Sequence, residues 1–514
     1  MYRSPRSIVA CDACKRRKVK CNGIEGCNQC THLNLKCHFS APTRSSRSRK
    51  SIARGHVIES CKDGSVNQKS TSSCLAALIP SGLPRDPAAE KPGSFSASFF
   101  GSLVEDYSSF VLPVLPIISG DEFRSAISEM ETNQASSALV HGLGAITMNT
   151  TAIGHDEVKT SSELCKALYV KALELRGPLL PDHQVTVRSI MIPLVVATCL
   201  FANHCNIDMA FYYLREAITG IQILRMNEPI SMTLPTPGKM AQQERLYWLL
   251  FVHERYNSLS FHQPATLSAL PALPQPDPAI PVGVMDGFHH IISLFKTIDR
   301  EFIENWLNKP SPAMNSAWIE QKQSELGDNV ATWENEIKVL TTRQQIDLIV
   351  TRHWLRTLVW QMALSRFLLL SDDPAGRDCM EMIFPARISR RLRLVLANMP
   401  RQMVEIHGTG ILQKIFDITS TLADILEHVL VPQRDDQAAA NHLDDFVFLY
   451  EFLLSMSKFY HVEKAFLESK FESTRRLFPS LTIISDQLHA RGVFHGNELE
   501  FRTSSQDIAA MEEG

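Results

Sequence analysis

Six cysteines between positions 11 and 37 constrain this chain of 514 residues more than any other feature. They run Cys11, two residues, Cys14, six residues, Cys21, five residues, Cys27, two residues, Cys30, six residues, Cys37. The two halves are near copies, each a close pair followed six residues later by a third cysteine. So short a segment has almost no apolar core of its own and needs metal to fold. Zinc takes four thiolates in a tetrahedron, and a pair separated by two residues places both sulfurs on one ion. Six thiolates cannot fill two separate tetrahedral sites, so two of them must each serve both metals. The arithmetic and the duplication point to a cluster of two zinc ions with no open position for a substrate. Ring-type folds and classical fingers expect histidine ligands, and His32 and His38 fall outside the regular spacing.

The remaining cysteines, Cys61, Cys74, Cys165, Cys199, Cys205 and Cys379, are dispersed and carry no motif. Cys199 and Cys205 flank His204, but in apolar surroundings that read as core thiols.

Charge separates the same head from the rest. Residues 1–56 hold thirteen Lys or Arg against Asp12 and Glu25, a net of +11, while the whole chain sums to −3, leaving −14 for the remainder. Such asymmetry indicates a polyanionic partner for the head. Between Cys14 and Cys21 lies KRRKVK, placed on a first short helix. Basic side chains on a helix can enter the major groove and donate to guanine O6 and N7 while others neutralise phosphates. A nuclear-import role is compatible with the same residues.

The stretch ACDACKRRKVKCNGIEGCNQCTHLNLKC resembles the fungal zinc binuclear cluster transcription factors, whose prototype is the galactose regulator of budding yeast. The resemblance implies two zinc ions held by Cys11, Cys14, Cys21, Cys27, Cys30 and Cys37, with Cys11 and Cys27 bridging. It implies CGG triplets read through Arg17 and Lys18 beside Lys15 and Arg16, with Lys20 and Lys36 on phosphates. Many members have proline before the fourth cysteine, where this chain has Gly26.

Residues 1–40 are thus expected to form the DNA-binding module, and 41–97 a linker. The linker opens with TRSSRSRKSIARG, where Arg44, Arg47, Arg49 and Lys50 would add phosphate contacts, and continues rich in Ser and Pro with too little apolar surface to offset ordering. It shows no leucine heptads. From 98 to 500 apolar residues recur at helical spacing, as in Leu164–Leu175, Val187–Phe201, Met209–Met226, Gln243–Phe261, Phe288–Leu307, Ile346–Leu370, Ile411–Val429 and Asp444–Leu467. The expected fold is a small zinc module with two short helices plus a large all-α domain, ending in a flexible acidic tail at 501–514. Hydrophobic residues at 44% and charged at 21% suit a soluble globular chain. The most apolar run, Ile190–Ala202, is short and contains Pro193, and the N-terminus lacks a signal-like apolar core, so no membrane partner is expected.

The body continues the resemblance. FFGSLVEDYSSFVLPVLPIISGDEF is similar to the opening of the fungal regulatory (middle homology) domain. ERLYWLLFVHERYNSLSFHQPATL is similar to that domain's most recognisable segment, in wording nearest to maltose- and quinate-activator-like members. Trp248, Leu250 and Phe251 read as a core stripe, and Arg245, Glu254 and Arg255 as a structural polar network. DDFVFLYEFLL reads as a packed helix rather than an activation segment, leaving SSQDIAAMEEG as the candidate for coactivator contact.

The chain is expected to be a nuclear, sequence-specific transcription regulator of RNA polymerase II genes and not an enzyme, with double-stranded DNA and the transcription machinery as partners. Family habit favours control of a secondary-metabolite gene cluster, with carbon-source genes of sugar or quinate type next. A repressor or accessory regulator acting through the helical body is the third reading. Pairing through that body, and a small-molecule effector bound within it, stay open at the level of sequence.

Overall fold

Short polar side chains in front of apolar runs set the helix starts. Ser119 accepts from the Glu122 amide at 3.1 Å while the Glu122 carboxylate accepts from the Ser119 amide at 2.7 Å, a reciprocal cap. Thr186 with Ser189, and Thr341 with Gln344, repeat the device. In the computed structural model the described residues are 11–12, 37–38, 95–178, 182, 184–203, 206–226, 237–307, 314–327, 330–369, 378–430 and 437–478. They belong to two units, Met1–Ala89 and Glu90–Gly514.

Among the described residues the second unit is helical, with no β-strand. It opens with α1 (Ala97–Ser102), α2 (Val104–Asp106) and a π turn, Tyr107–Val111. Next come α3 (Gly120–Glu129), α4 (Gln134–Thr151), α5 (His155–Arg176), α6 (Val187–Ala202), α7 (Ile207–Ile223) and α8 (Pro237–Phe261). The chain continues through α9 (Val282–Lys296), α10 (Arg300–Trp306), α11 (Ser316–Gly327), α12 (Val330–Ile337) and α13 (Thr342–Ser365). It ends with α14 (Phe384–Ala397), α15 (Arg401–Glu405), α16 (Thr409–Ile425) and its π extension Leu426–Leu430, α17 (Gln437–Leu454) and α18 (His461–Leu477).

One half of the unit is organised on α4 and α6. Helix α4 is buried continuously from Ser136 to Thr147 and packs on both α5 and α6. Gly142 makes this approach close, since a Cβ there would sit 2.9 Å from Val195 Cγ1. Helix α7 then packs on α6. The other half is organised on α13, which packs on α9, α11, α14 and α16, with α17 and α18 against α16. Helix α8 runs between the halves, touching α6 and α7 on one side and α9 and α10 on the other.

Pro193 lies inside α6 rather than ending it, and no helix among the described residues is long and apolar enough to cross a membrane. Two of the expected helices are broken. The segment 288–307 is α9 and α10, because Asp299 accepts from the Phe302 amide at 2.8 Å and starts a new helix while the apolar period continues across the break. The segment 444–467 is divided between α17 and α18. At that break Lys458 Nζ donates to the carbonyl oxygens of Asn149 and Thr150, at 2.9 and 3.1 Å, covering the end of α4.

Candidate functional site

Of the six cysteines of the head, Cys11 and Cys37 fall within the described residues. Cys11 is fully buried and Cys37 half-buried. Their neighbours in the chain are joined: the Asp12 amide donates to the His38 carbonyl oxygen at 2.8 Å, and His38 Nδ1 lies 3.2 Å from Asp12 Oδ2. The first and last cysteines of the head are therefore drawn together across 26 residues. A buried thiol in a segment this poor in apolar surface fits a zinc ligand. Cys14, Cys21, Cys27 and Cys30 lie outside the described residues, as do Lys15, Arg16, Arg17, Lys18, Lys20, Lys36, the linker basics Arg44, Arg47, Arg49 and Lys50, and the acidic tail.

In the helical unit, Trp248, Leu250 and Phe251 are core residues, each 1% exposed or less. The polar network expected around them is present. Arg245 is wholly buried, paired with Asp277, and its Nε donates to the Pro116 carbonyl at 2.8 Å. Glu254 accepts from Arg215 Nη1 at 2.6 Å, the Thr266 amide at 2.9 Å and the Leu267 amide at 2.8 Å. Arg255 Nε reaches the Ile298 carbonyl at 2.9 Å and its Nη2 the Leu267 carbonyl at 2.6 Å. These groups fasten the loop 262–281 to α8. In DDFVFLYEFLL the aromatic residues are buried, as a packed helix requires. Cys199 is buried beside Cys165, while His204 and Cys205 lie outside the described residues.

The sequence singled out none of the charged or histidine side chains that meet at the centre of this unit. A cavity of about 230 Å³ lies there, walled by the π turn and by α4, α6, α8, α9, α13 and α16. Most of the wall is apolar, for example Leu115, Ile146, Leu249, Phe288 and Ile411. One side is polar. Arg343 and Asp347, four apart on α13, share a helix face and line the cavity with Lys414 of α16, His253 of α8 and His407. Lys414 Nζ donates to Thr351 Oγ1 at 2.6 Å and to Asp347 Oδ1 at 3.2 Å. Burial alone would raise the Asp347 pKa, but Lys414, His407 and the hydrogen bonds outweigh it and hold the carboxyl below its usual value. His253 Nδ1 lies 2.8 Å from the Leu249 carbonyl, and burial lowers its pKa. Burial and the Arg343 charge push His407 down to about 3. Both imidazoles are neutral at physiological pH.

Arg343 is the exception to this pairing. It is 4% exposed, and Nη2 donates to the Ile406 carbonyl at 3.2 Å, where Gly408 turns the chain at φ +74°. Its Nε and Nη1 have no hydrogen-bond partner. Burial pushes its pKa down to about 9, with only Asp347 opposing. The sequence signal was an arginine one turn ahead of the apolar run that began at Ile346, outside the helix as the period defined it.

Residues 9–46 match the family described as the fungal Zn(2)-Cys(6) binuclear cluster domain. The likeness to whole proteins runs through the helical unit as well. The chain is 23% identical over 434 residues to the maltose fermentation regulatory protein MAL13 of Saccharomyces cerevisiae, covering 81% of this chain and 84% of that protein. The chain carries a fungal zinc binuclear cluster domain at its N-terminus and is similar to fungal regulators over most of its length. Its N-terminal cluster domain binds two zinc ions. A second relative, the "Probable sucrose utilization protein SUC1" of Candida albicans, is 23% identical over 435 residues, covering 80% of this chain and 78% of its own length. The fumonisin cluster-specific transcription factor FUM21 of Gibberella moniliformis is 53% identical, but over 32 residues, 6% of this zinc-cluster protein.

Proposed function

We propose that this zinc-cluster protein is a pathway-specific regulator of carbon-source genes that docks its N-terminal module on CGG-containing promoter elements in the nucleus. The observation carrying this reading is the co-linear likeness to MAL13 and SUC1 over four-fifths of the chain, most of it in the helical unit. That reverses the order suggested by family habit. The secondary-metabolite reading is favoured by FUM21, whose likeness is confined to 32 residues, too short a stretch to bear on which genes respond.

In the proposed module Cys11 and Cys27 bridge two zinc ions, Cys14 and Cys21 complete one, and Cys30 and Cys37 the other. The Asp12–His38 contacts support that scheme by bringing the chain together at Cys11 and Cys37. Arg17 and Lys18 face base edges beside Lys15 and Arg16, Lys20 and Lys36 neutralise phosphates, and the linker basics add sequence-independent affinity. The helical unit controls output through the transcription machinery.

Genome-wide mapping of bound sites, paired with transcript levels in a deletion strain grown on different sugars, tests the reading. Sites upstream of sugar-transport and glycosidase genes whose transcripts fall on deletion support it. Sites confined to one contiguous biosynthetic locus favour the cluster-specific reading, and transcripts that rise on deletion mark a repressor.

A further inference from the structure

A buried guanidinium with two unpartnered nitrogens is costly, since each unsatisfied charged donor forfeits hydration without replacement. Arg343 is such a group, and it lines a cavity large enough for a ligand. Cavities of about 150 Å³ lined by apolar side chains already admit a benzene-sized molecule, and this one is about 230 Å³. The ionised groups on its wall are Arg343, Lys414 and Asp347, with His253 and His407 neutral, so the wall carries one net positive charge. Lys414 and Asp347 satisfy one another, which leaves that charge on Arg343.

We propose that the central cavity of the helical unit binds a small organic monocarboxylate, with its carboxylate on Arg343 and its apolar body against Leu115, Ile146, Leu249 and Phe288. One negative charge matches the single unbalanced cation, whereas a phosphate dianion would leave excess charge in a site of low polarity. A disaccharide carries a hydroxyl on nearly every carbon, and a mostly apolar wall cannot satisfy them. The ligand is therefore not the kind of sugar in the relatives' names, and binding would make helices from both halves of the unit share one guest. The site goes beyond the regulatory reading and is tested without DNA, so either can fail alone.

The test uses the purified, zinc-loaded full chain with benzoate, phenylacetate and hexanoate as probes, against phenylacetamide, inorganic phosphate and maltose. At least one carboxylate is expected to raise the thermal midpoint by roughly 2–4 °C at saturating concentration, with calorimetry showing one site. Arg343→Gln is expected to weaken binding about tenfold or more while leaving the free protein no less stable, because an uncompensated charge is removed. Ala202→Phe, which fills the cavity from α6, is expected to abolish binding and leave the fold intact. Silence from all three carboxylates, equal binding of phenylacetamide and phenylacetate, undiminished binding by Arg343→Gln, or preferential binding of phosphate or maltose would each overturn the assignment.

Discussion

Arg245 of α8 and Asp277 of the loop 262–281 form an ion pair with no access to solvent on the arginine side, and the same guanidinium holds the carbonyl of Pro116 at 2.8 Å. One side chain thus joins α8 both to the loop 262–281 and to the segment that follows the π turn. Removing one partner of a buried pair leaves the other charge stranded, which costs about 3–5 kcal/mol, whereas removing both is far milder. Arg245→Met is expected to destabilise the unit by about that amount in urea titrations, and Arg245→Met with Asp277→Asn by clearly less. A single variant within about 1 kcal/mol of the parent would contradict the role given to this pair.

The zinc scheme predicts two ions per chain by native mass spectrometry. Cys14→Ser is expected to lose zinc and specific DNA binding together, and chelation is expected to do the same in the parent while sparing the thermal transition of the helical unit. Retention of two zincs by Cys14→Ser would refute the ligand assignment.

Base-reading and phosphate-contacting residues should differ in salt response. Arg17→Ala or Lys18→Ala is expected to cost about 1–3 kcal/mol on a CGG-containing duplex and little on random DNA. Lys20→Ala is expected to weaken both alike and reduce the salt slope by about one. Fluorescence anisotropy over a salt series separates the two patterns, and equal losses on both duplexes for Arg17→Ala would sink the assignment.

Two buried groups pull stability in opposite directions with pH. Burial raises the Asp417 pKa from its usual 3.8 to about 6, despite hydrogen bonds from Trp354 Nε1 at 2.8 Å and Gln413 Nε2 at 2.9 Å. The folded state then holds the proton more tightly than the unfolded state, so Asp417 weakens the fold as pH rises from about 4 to 6. His353, buried among Arg352, Arg356 and Arg391, is pushed down to about 3, so its contribution is complete above pH 6.5 and is lost as pH falls toward 3. Asp417→Asn is expected to gain roughly 1–2 kcal/mol at pH 7 and little at pH 4, and His353→Leu the reverse. Denaturation midpoints across that range check both signs. Parallel shifts at all pH values would show that neither titration matters.

What was legible in the sequence follows from how local each feature is. Metal ligation by closely spaced cysteines is written in one short stretch, and the stripe of Trp248, Leu250 and Phe251 is written in one helix. The charges of Arg245, Glu254 and Arg255 stood out because an apolar helix must pair them. The break between α17 and α18 did not stand out, since residues 455–460 contain neither glycine nor proline. It is stabilised instead by distant partners, the α4 carbonyls for Lys458 and the Glu405 carboxylate, which accepts from the Ser457 amide at 2.7 Å. The cavity was invisible for a related reason: its wall draws on seven segments between Val111 and Lys414, none exceptional alone.

The contact of Lys458 with the end of α4 also bears on the order in which the chain is made. Asn149 and Thr150 leave the ribosome some three hundred residues before the ammonium that covers their carbonyls. Domains ordinarily fold from the N-terminus as synthesis proceeds, yet here an early helix keeps an uncovered end until Lys458 has been made. Fragments ending before Lys458, the kind made to isolate a DNA-binding half, would carry that unfinished end permanently and expose it to chaperones and proteases.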